Sequence, residues 1–126
     1  MVTQSTSPPR RTTASHDQAV ELREIIEFLN EHLGARLLAL TVGADHRTVG
    51  RWLSEPGRAP RFESETRLRA AYQVFRLVQS VEASPTVRAW FMGMNPQLDD
   101  KSPAEAIRDG EARDVMAAAR AFINAG

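Results

Sequence analysis

The chain has 126 residues, with sixteen basic and sixteen acidic side chains and no cysteine. That length makes one domain, or one with a small appendage, and buries roughly two-thirds of its unfolded surface without covalent staples. Disulfides and thiolate metal sites are excluded; no apolar run approaches the ~18 residues of a membrane span, and the start lacks the apolar block of a signal peptide, so a cytoplasmic protein is expected.

Residues 1–16 are rich in Ser, Thr and Pro, with Arg10 and Arg11 and no apolar periodicity. They read as a disordered, solvated arm, although the arginine pair could touch a DNA backbone. A first helix is expected from Asp17, a fair N-cap, to His32. Val20, Leu22, Ile25, Ile26, Phe28, Leu29 and Leu33 form its apolar stripe, and Gly34 ends it. Its outer face carries Glu21, Glu24, Glu27 and Glu31, which suits a scaffold helix better than a phosphate contact.

Residues 36–55 are the stretch that the rest of the chain is built to hold. Ala39, Gly43, Val49 and Trp52 have the spacing of two short helices joined by a tight turn. A small residue is needed where steeply crossed helices touch, and glycine supplies positive φ at the corner at little cost. Asp45 is placed to cap the second helix, while Val49, Trp52 and Leu53 share its inner face. His46, Arg47, Thr48, Arg51 and Ser54 are thereby expected on a DNA-reading surface, with Arg47 and Arg51 one turn apart for bidentate contact with guanine edges. Gly50 supports this, because a glycine inside a helix costs about 1 kcal/mol relative to alanine and calls for a reason such as close approach to bases. The competing reading is a helix-turn-helix used only for packing.

The loop Pro56–Arg61 follows, with Arg58 and Arg61 as candidate phosphate contacts. A long helix is expected from Glu63 to Glu82. Leu68, Ala71, Tyr72, Phe75 and Val78 make one stripe, with Val74, Leu77 and Val81 beside it, so two sides must be covered. After Ser84-Pro85, three shorter helical pieces are expected. Pro85–Met92 carries Val87, Trp90 and Phe91 and ends before the Asn95-Pro96 turn. A capping box, Ser102-Pro103-Ala104-Glu105, opens a helix that stops at Gly110. Glu111 opens the last, to Asn124, with Val115, Met116, Ala119, Phe122 and Ile123 inward. These pieces are too small to fold alone and must dock on the long helix. Trp90 and Phe91 suit core packing; Met92 and Met94 suit an adaptable contact surface.

The zero net charge hides an asymmetry. From Gly34 to Ser80 there are eight arginines against four acids, and from Val81 onward five basic residues against seven acidic ones; arginine outnumbers lysine fifteen to one. The middle third therefore carries the electrostatic footprint of a nucleic-acid binder. The three histidines lack the i,i+3 or i,i+4 spacing of a helical metal site, so no metal or cofactor is expected. His32 is explained by its place near a helix end. No activated nucleophile or phosphate-cradling glycine loop is present, and the chain is not read as an enzyme.

In the C-terminal third, Trp90, Asn95-Pro96 with Leu98, Ser102-Pro103 with Ile107, and Gly110-Glu111 with Val115 follow in an order that resembles the toxin-binding domain of the Xre/MbcA/ParS antitoxins. The preceding helix-turn-helix and long helix are similar to that family as well, so the resemblance spans about residues 17–126. Asp99-Asp100-Lys101 is charged where relatives often have glycine. The residue patterns and the resemblance together give an expected all-α fold: an arm (1–16), an Xre-like helix-turn-helix bundle (17–62), a connecting and dimerisation helix (63–83) and a small toxin-binding module (84–126). The resemblance implies an antitoxin that neutralises a RES-domain, NAD-degrading toxin, dimerises, and represses its own operon on a palindromic operator of double-stranded DNA, in a bacterial cytoplasm and on the nucleoid when bound. Toxin contact would fall to Trp90, Met92, Met94, Asn95, Pro96, Gly110, Glu111 and the tail Phe122, Ile123, Asn124, Ala125 and Gly126. The alternative is a stand-alone helix-turn-helix regulator whose C-terminal module binds another protein or itself. A RES-domain reading frame beside this one would decide between them.

Overall fold

A computed structural model describes residues 21–125, and every regular element among them is helical. Helix α1 covers 21–33 of the described residues, followed by α2 (Ala35–Val42), α3 (His46–Ser54), α4 (Phe62–Gln79), α5 (Ser84–Met92), α6 (Pro103–Arg108) and α7 (Ala112–Ala125), with a 3-10 turn at Pro96–Leu98. The expected arm, the start at Asp17 and Gly126 lie outside the described residues.

Helix α4 is the spine. Its buried residues Leu68, Ala71, Val74, Phe75 and Val78 cover a wide arc, and α2, α5, α6 and α7 all pack on it. The Phe28 ring of α1 meets Phe75 and Tyr72 edge-on, with centroids 5.4 and 5.2 Å apart. Phe75 also meets Phe91 of α5 at 5.8 Å, so one aromatic seam joins the first, fourth and fifth helices. His32 lies in that seam too, 4.2 Å from Phe28 and 5.4 Å from Phe75. Its position is thus explained by stacking as well as by its nearness to a helix end.

The long helix is shorter at its C-terminal end than its periodicity predicts. It stops at Gln79, where the Ser80 hydroxyl donates to the Leu77 carbonyl at 2.6 Å and the Ser80 N–H donates to Arg76 and Leu77. Serine's competition for nearby carbonyls is an ordinary reason for a helix to end. Val81 consequently leaves the apolar stripe and is 53% exposed. The other terminal differences are of a residue or so: α5 starts at Ser84, and α7 runs Ala112–Ala125.

The short C-terminal helices dock as their size requires, and α6 does so on α2 as well as on α4. Its capping box is complete: Ser102 Oγ accepts from the Glu105 N–H at 3.1 Å, and Glu105 Oε1 accepts from the Ser102 N–H at 2.9 Å. Ala104, Ala106 and Ile107 are then buried in the same cluster as Leu38 and Val42 of α2. No helix among the described residues is long and apolar enough to cross a membrane.

Candidate functional site

The corner between α2 and α3 has the geometry that its residues predict. Gly43 takes φ 73°, ψ 33°, and the Ala44 N–H closes back on the Ala39 carbonyl at 2.9 Å. A Cβ at Gly43 would stand 3.1 Å from Arg67 Nη1, so space as well as φ favours glycine there. Asp45 Oδ1 accepts the Arg47 N–H at 2.9 Å. That bond is the main reason its carboxyl is held below the usual aspartate range; the nearby His46, Arg47 and Arg51 act in the same direction. Val49 and Trp52 are buried, and Leu53 packs against the core at its edge.

The outward face of α3 presents His46, Arg47, Gly50, Arg51 and Ser54, all exposed, while Thr48 is half-buried. His46 Nδ1 lies 3.4 Å from Asp45 Oδ1, and the Ser54 hydroxyl donates to the Gly50 carbonyl at 2.9 Å. Thr48, Arg58 and Arg61 share a polar hollow with Gly43, Ala44 and Ser64, just beyond the corner. Arg58 is already paired there with Glu55 at 3.1 Å, whereas Arg61 has no such partner among the described residues.

The arginine excess of the middle third divides in two. Arg58 pairs with Glu55, and Arg67 donates to the Val42 carbonyl at the end of α2. Arg69 bridges Glu65 at 3.0 Å and Glu21 at 3.2 Å, and Arg76 lies over the rings of Phe28 and Tyr72. The side chains of Arg36, Arg47, Arg51 and Arg61 are exposed, with no hydrogen bond or ion pair to another described residue. Two further arginines cap helix ends that the sequence did not reveal. Arg23 donates to the Trp52 and Leu53 carbonyls of α3, and Arg88 Nε to the Leu33 carbonyl of α1 at 2.9 Å. A cation near the last carbonyls of a helix is favourable, but nothing local in sequence says which arginine arrives there.

The C-terminal candidates fall on two hollows and a knot. Phe122, Ile123 and Ala125 line one hollow with Val81 and Glu82, and the ring of half-buried Trp90 lies 6.1 Å from that of Phe122. Asn124 is exposed beside them. Met92 and Met94, 52% and 76% exposed, line a second hollow with Leu37 and Leu40 of α2. Asn95 and Pro96 build the 3-10 turn, with Asn95 Oδ1 accepting the Gln97 N–H at 2.9 Å. Gly110, at φ 84°, lets the Glu111 N–H reach the Ala106 carbonyl at 2.8 Å. The Glu111 carboxylate is in turn held 2.8 Å from Lys101, which also contacts Asp109 at 3.1 Å. The contributions of Val81, Leu37 and Leu40 to these hollows were not foreseen, because each depends on which helix passes beside it.

No protein-family model and no curated protein matches the chain. Among solved structures, it is similar to the antitoxin in the M. tuberculosis MbcT–MbcA toxin–antitoxin complex. The TM-score is 0.69 at 25% identity, covering 82% of this chain and 95% of the other. In fold as in the order of its C-terminal residues, this chain resembles the Xre/MbcA/ParS-type antitoxins.

Proposed function

We propose that this chain is an antitoxin that binds and neutralises a RES-domain toxin, an enzyme that degrades NAD. Through its helix-turn-helix, as a homodimer on a palindromic operator, it represses its own operon. The observation that carries this reading is the likeness, over 82% of the chain, to the antitoxin of a toxin–antitoxin complex. Its C-terminal order of Asn-Pro, Ser-Pro and Gly-Glu fits the same assignment. DNA reading is supported by the exposed Arg47 and Arg51 on α3, and by Arg61 beyond it. The toxin surface is assigned to the hollow of Val81, Phe122, Ile123 and Ala125, where exposed apolar groups border Glu82. The protein acts by binding, without a cofactor of its own.

Co-expression with an adjacent RES-domain reading frame, followed by purification through a tag on either product, tests the assignment. The expected result is a stable complex, with growth restored relative to the toxin alone. A tagged chain that emerges alone, with no relief of growth arrest, overturns it.

A further inference from the structure

We infer that Gly50 is a close-approach position, kept bare so that the floor of the major groove can lie against the backbone of α3; this rests on the DNA-reading role proposed above. Gly50 is the fifth of the nine residues of α3, where glycine is the poorest choice for helix stability apart from proline. The protein's own structure supplies no compensating reason. Gly50 does not have positive φ, and a Cβ built on it meets nothing within 4 Å. The other described glycines either have positive φ or, at Gly93, face a backbone carbonyl 3.5 Å away.

The neighbours of Gly50 give the bare spot a shape. Residues three and four apart share a helix face, so Gly50 sits between His46 and Arg47 on one side and Ser54 on the other. Ser54 folds its hydroxyl down onto the Gly50 carbonyl at 2.9 Å, so the strip from Gly50 to Ser54 is low. Arg47 and Arg51 rise beside it, exposed. A low strip bordered along one edge by two long cations, one turn apart, lets the helix axis come close while the guanidinium groups reach base edges beside it. A methyl group at Gly50 holds the rod back and spoils both arginine geometries together.

The test uses the full chain and the duplex that it selects from a random pool. Gly50→Ala is expected to melt about 4 °C higher, because alanine favours the helix. It is also expected to bind the selected duplex at least tenfold more weakly, with little change on a scrambled duplex held by phosphate contacts. Gly50→Ser extends the series, with a further loss of affinity. A Gly50→Ala protein that binds the selected duplex within twofold of wild type overturns the inference. If Arg47→Ala still loses selectivity in the same assay, the DNA-reading role survives that failure. If the wild-type chain selects no duplex at all, the reading beneath the inference has failed instead.

Discussion

Arg67 Nη1 of α4 reaches the Val42 carbonyl at the end of α2, 3.4 Å away, and lies directly against Gly43. The spine helix thereby holds the corner from which α3 departs. One cation serves two needs: it answers an unpaired carbonyl at a helix C-terminus, and it fills the space that a side chain on residue 43 would take.

Removing that contact should loosen the corner without dissolving the core. Arg67→Met is expected to lower stability by about 1 kcal/mol, the scale of one long hydrogen bond from a charged donor that is only partly buried. Gly43→Val should cost more, roughly 2 kcal/mol or above, because a β-branched residue meets both positive φ and the guanidinium. Thermal unfolding followed by circular dichroism measures both. An unchanged Gly43→Val protein would contradict this account of the corner.

The loop before α6 holds two non-glycine residues at positive φ, Asp99 at 55° and Asp100 at 66°. Aspartate tolerates this conformation better than most residues, and the loop is tied by the Asp100 N–H to the Asn95 carbonyl at 3.0 Å. Asp100→Val should therefore destabilise by ~1–2 kcal/mol, whereas Asp100→Gly should leave stability unchanged or raise it. Chemical denaturation of the two variants gives the comparison. Equal losses would mean that the carboxylate, rather than φ, is what matters there.

Lys101, Asp109 and Glu105 make stability depend on pH in a direction that can be worked out. The Glu111 carboxylate, and then Asp109, raise the Lys101 ammonium above its ordinary 10.5. Asp109 is held below its ordinary 3.8, chiefly by Lys101 and then by Arg108. Glu105 is held below 4.5 by the Ser102 N–H and then its hydroxyl. The carboxylate contributions are thus present above the ordinary acid values and are lost as pH falls through the lowered ones. The Lys101 contribution is complete below 10.5 and is lost as pH rises through the raised value. Urea midpoints should form a plateau at intermediate pH and fall at both ends. Lys101→Met should lower the plateau slightly and soften the acid fall, and an acid limb as steep as that of the wild type would contradict the role given to this pair.

For partner binding, the clean variant is one whose side chain the fold does not use. Val81 is 53% exposed at the rim of the hollow lined by Phe122 and Ile123. Val81→Glu should keep the helical spectrum and melting temperature while weakening capture of the co-expressed toxin at least tenfold. Met94→Glu, on the other hollow, should have less effect. If Met94→Glu abolishes capture and Val81→Glu does not, the toxin surface lies on the α2 side.

The helix-turn-helix was legible because its rules are local. Gly43 needs positive φ, Asp45 needs a free N–H two residues on, and Val49 and Trp52 need one face. The Ser102–Glu105 box was legible for the same reason. What could not be read is where long side chains travel. Arg67, Arg69 and Arg76 were counted with the basic footprint, yet they serve a helix end, an ion-pair bridge and two aromatic rings. Charge counting sees their number, and only tertiary packing decides which cations remain free. Val81 fits the apolar period of α4 and still faces outward, because the helix ends at Gln79 before that period can place it.

The central claim is that the exposed face of α3 reads base sequence, and replacing Arg47 and Arg51 together with alanine tests it most directly. Selection from a random duplex pool, repeated across a salt series, is the measurement. The account predicts that discrimination between selected and scrambled duplex falls at least ~30-fold, at ~1–3 kcal/mol per lost bidentate contact. A weaker, salt-sensitive association from the remaining arginines should persist. A double variant that selects the same sequences with undiminished preference would contradict the claim.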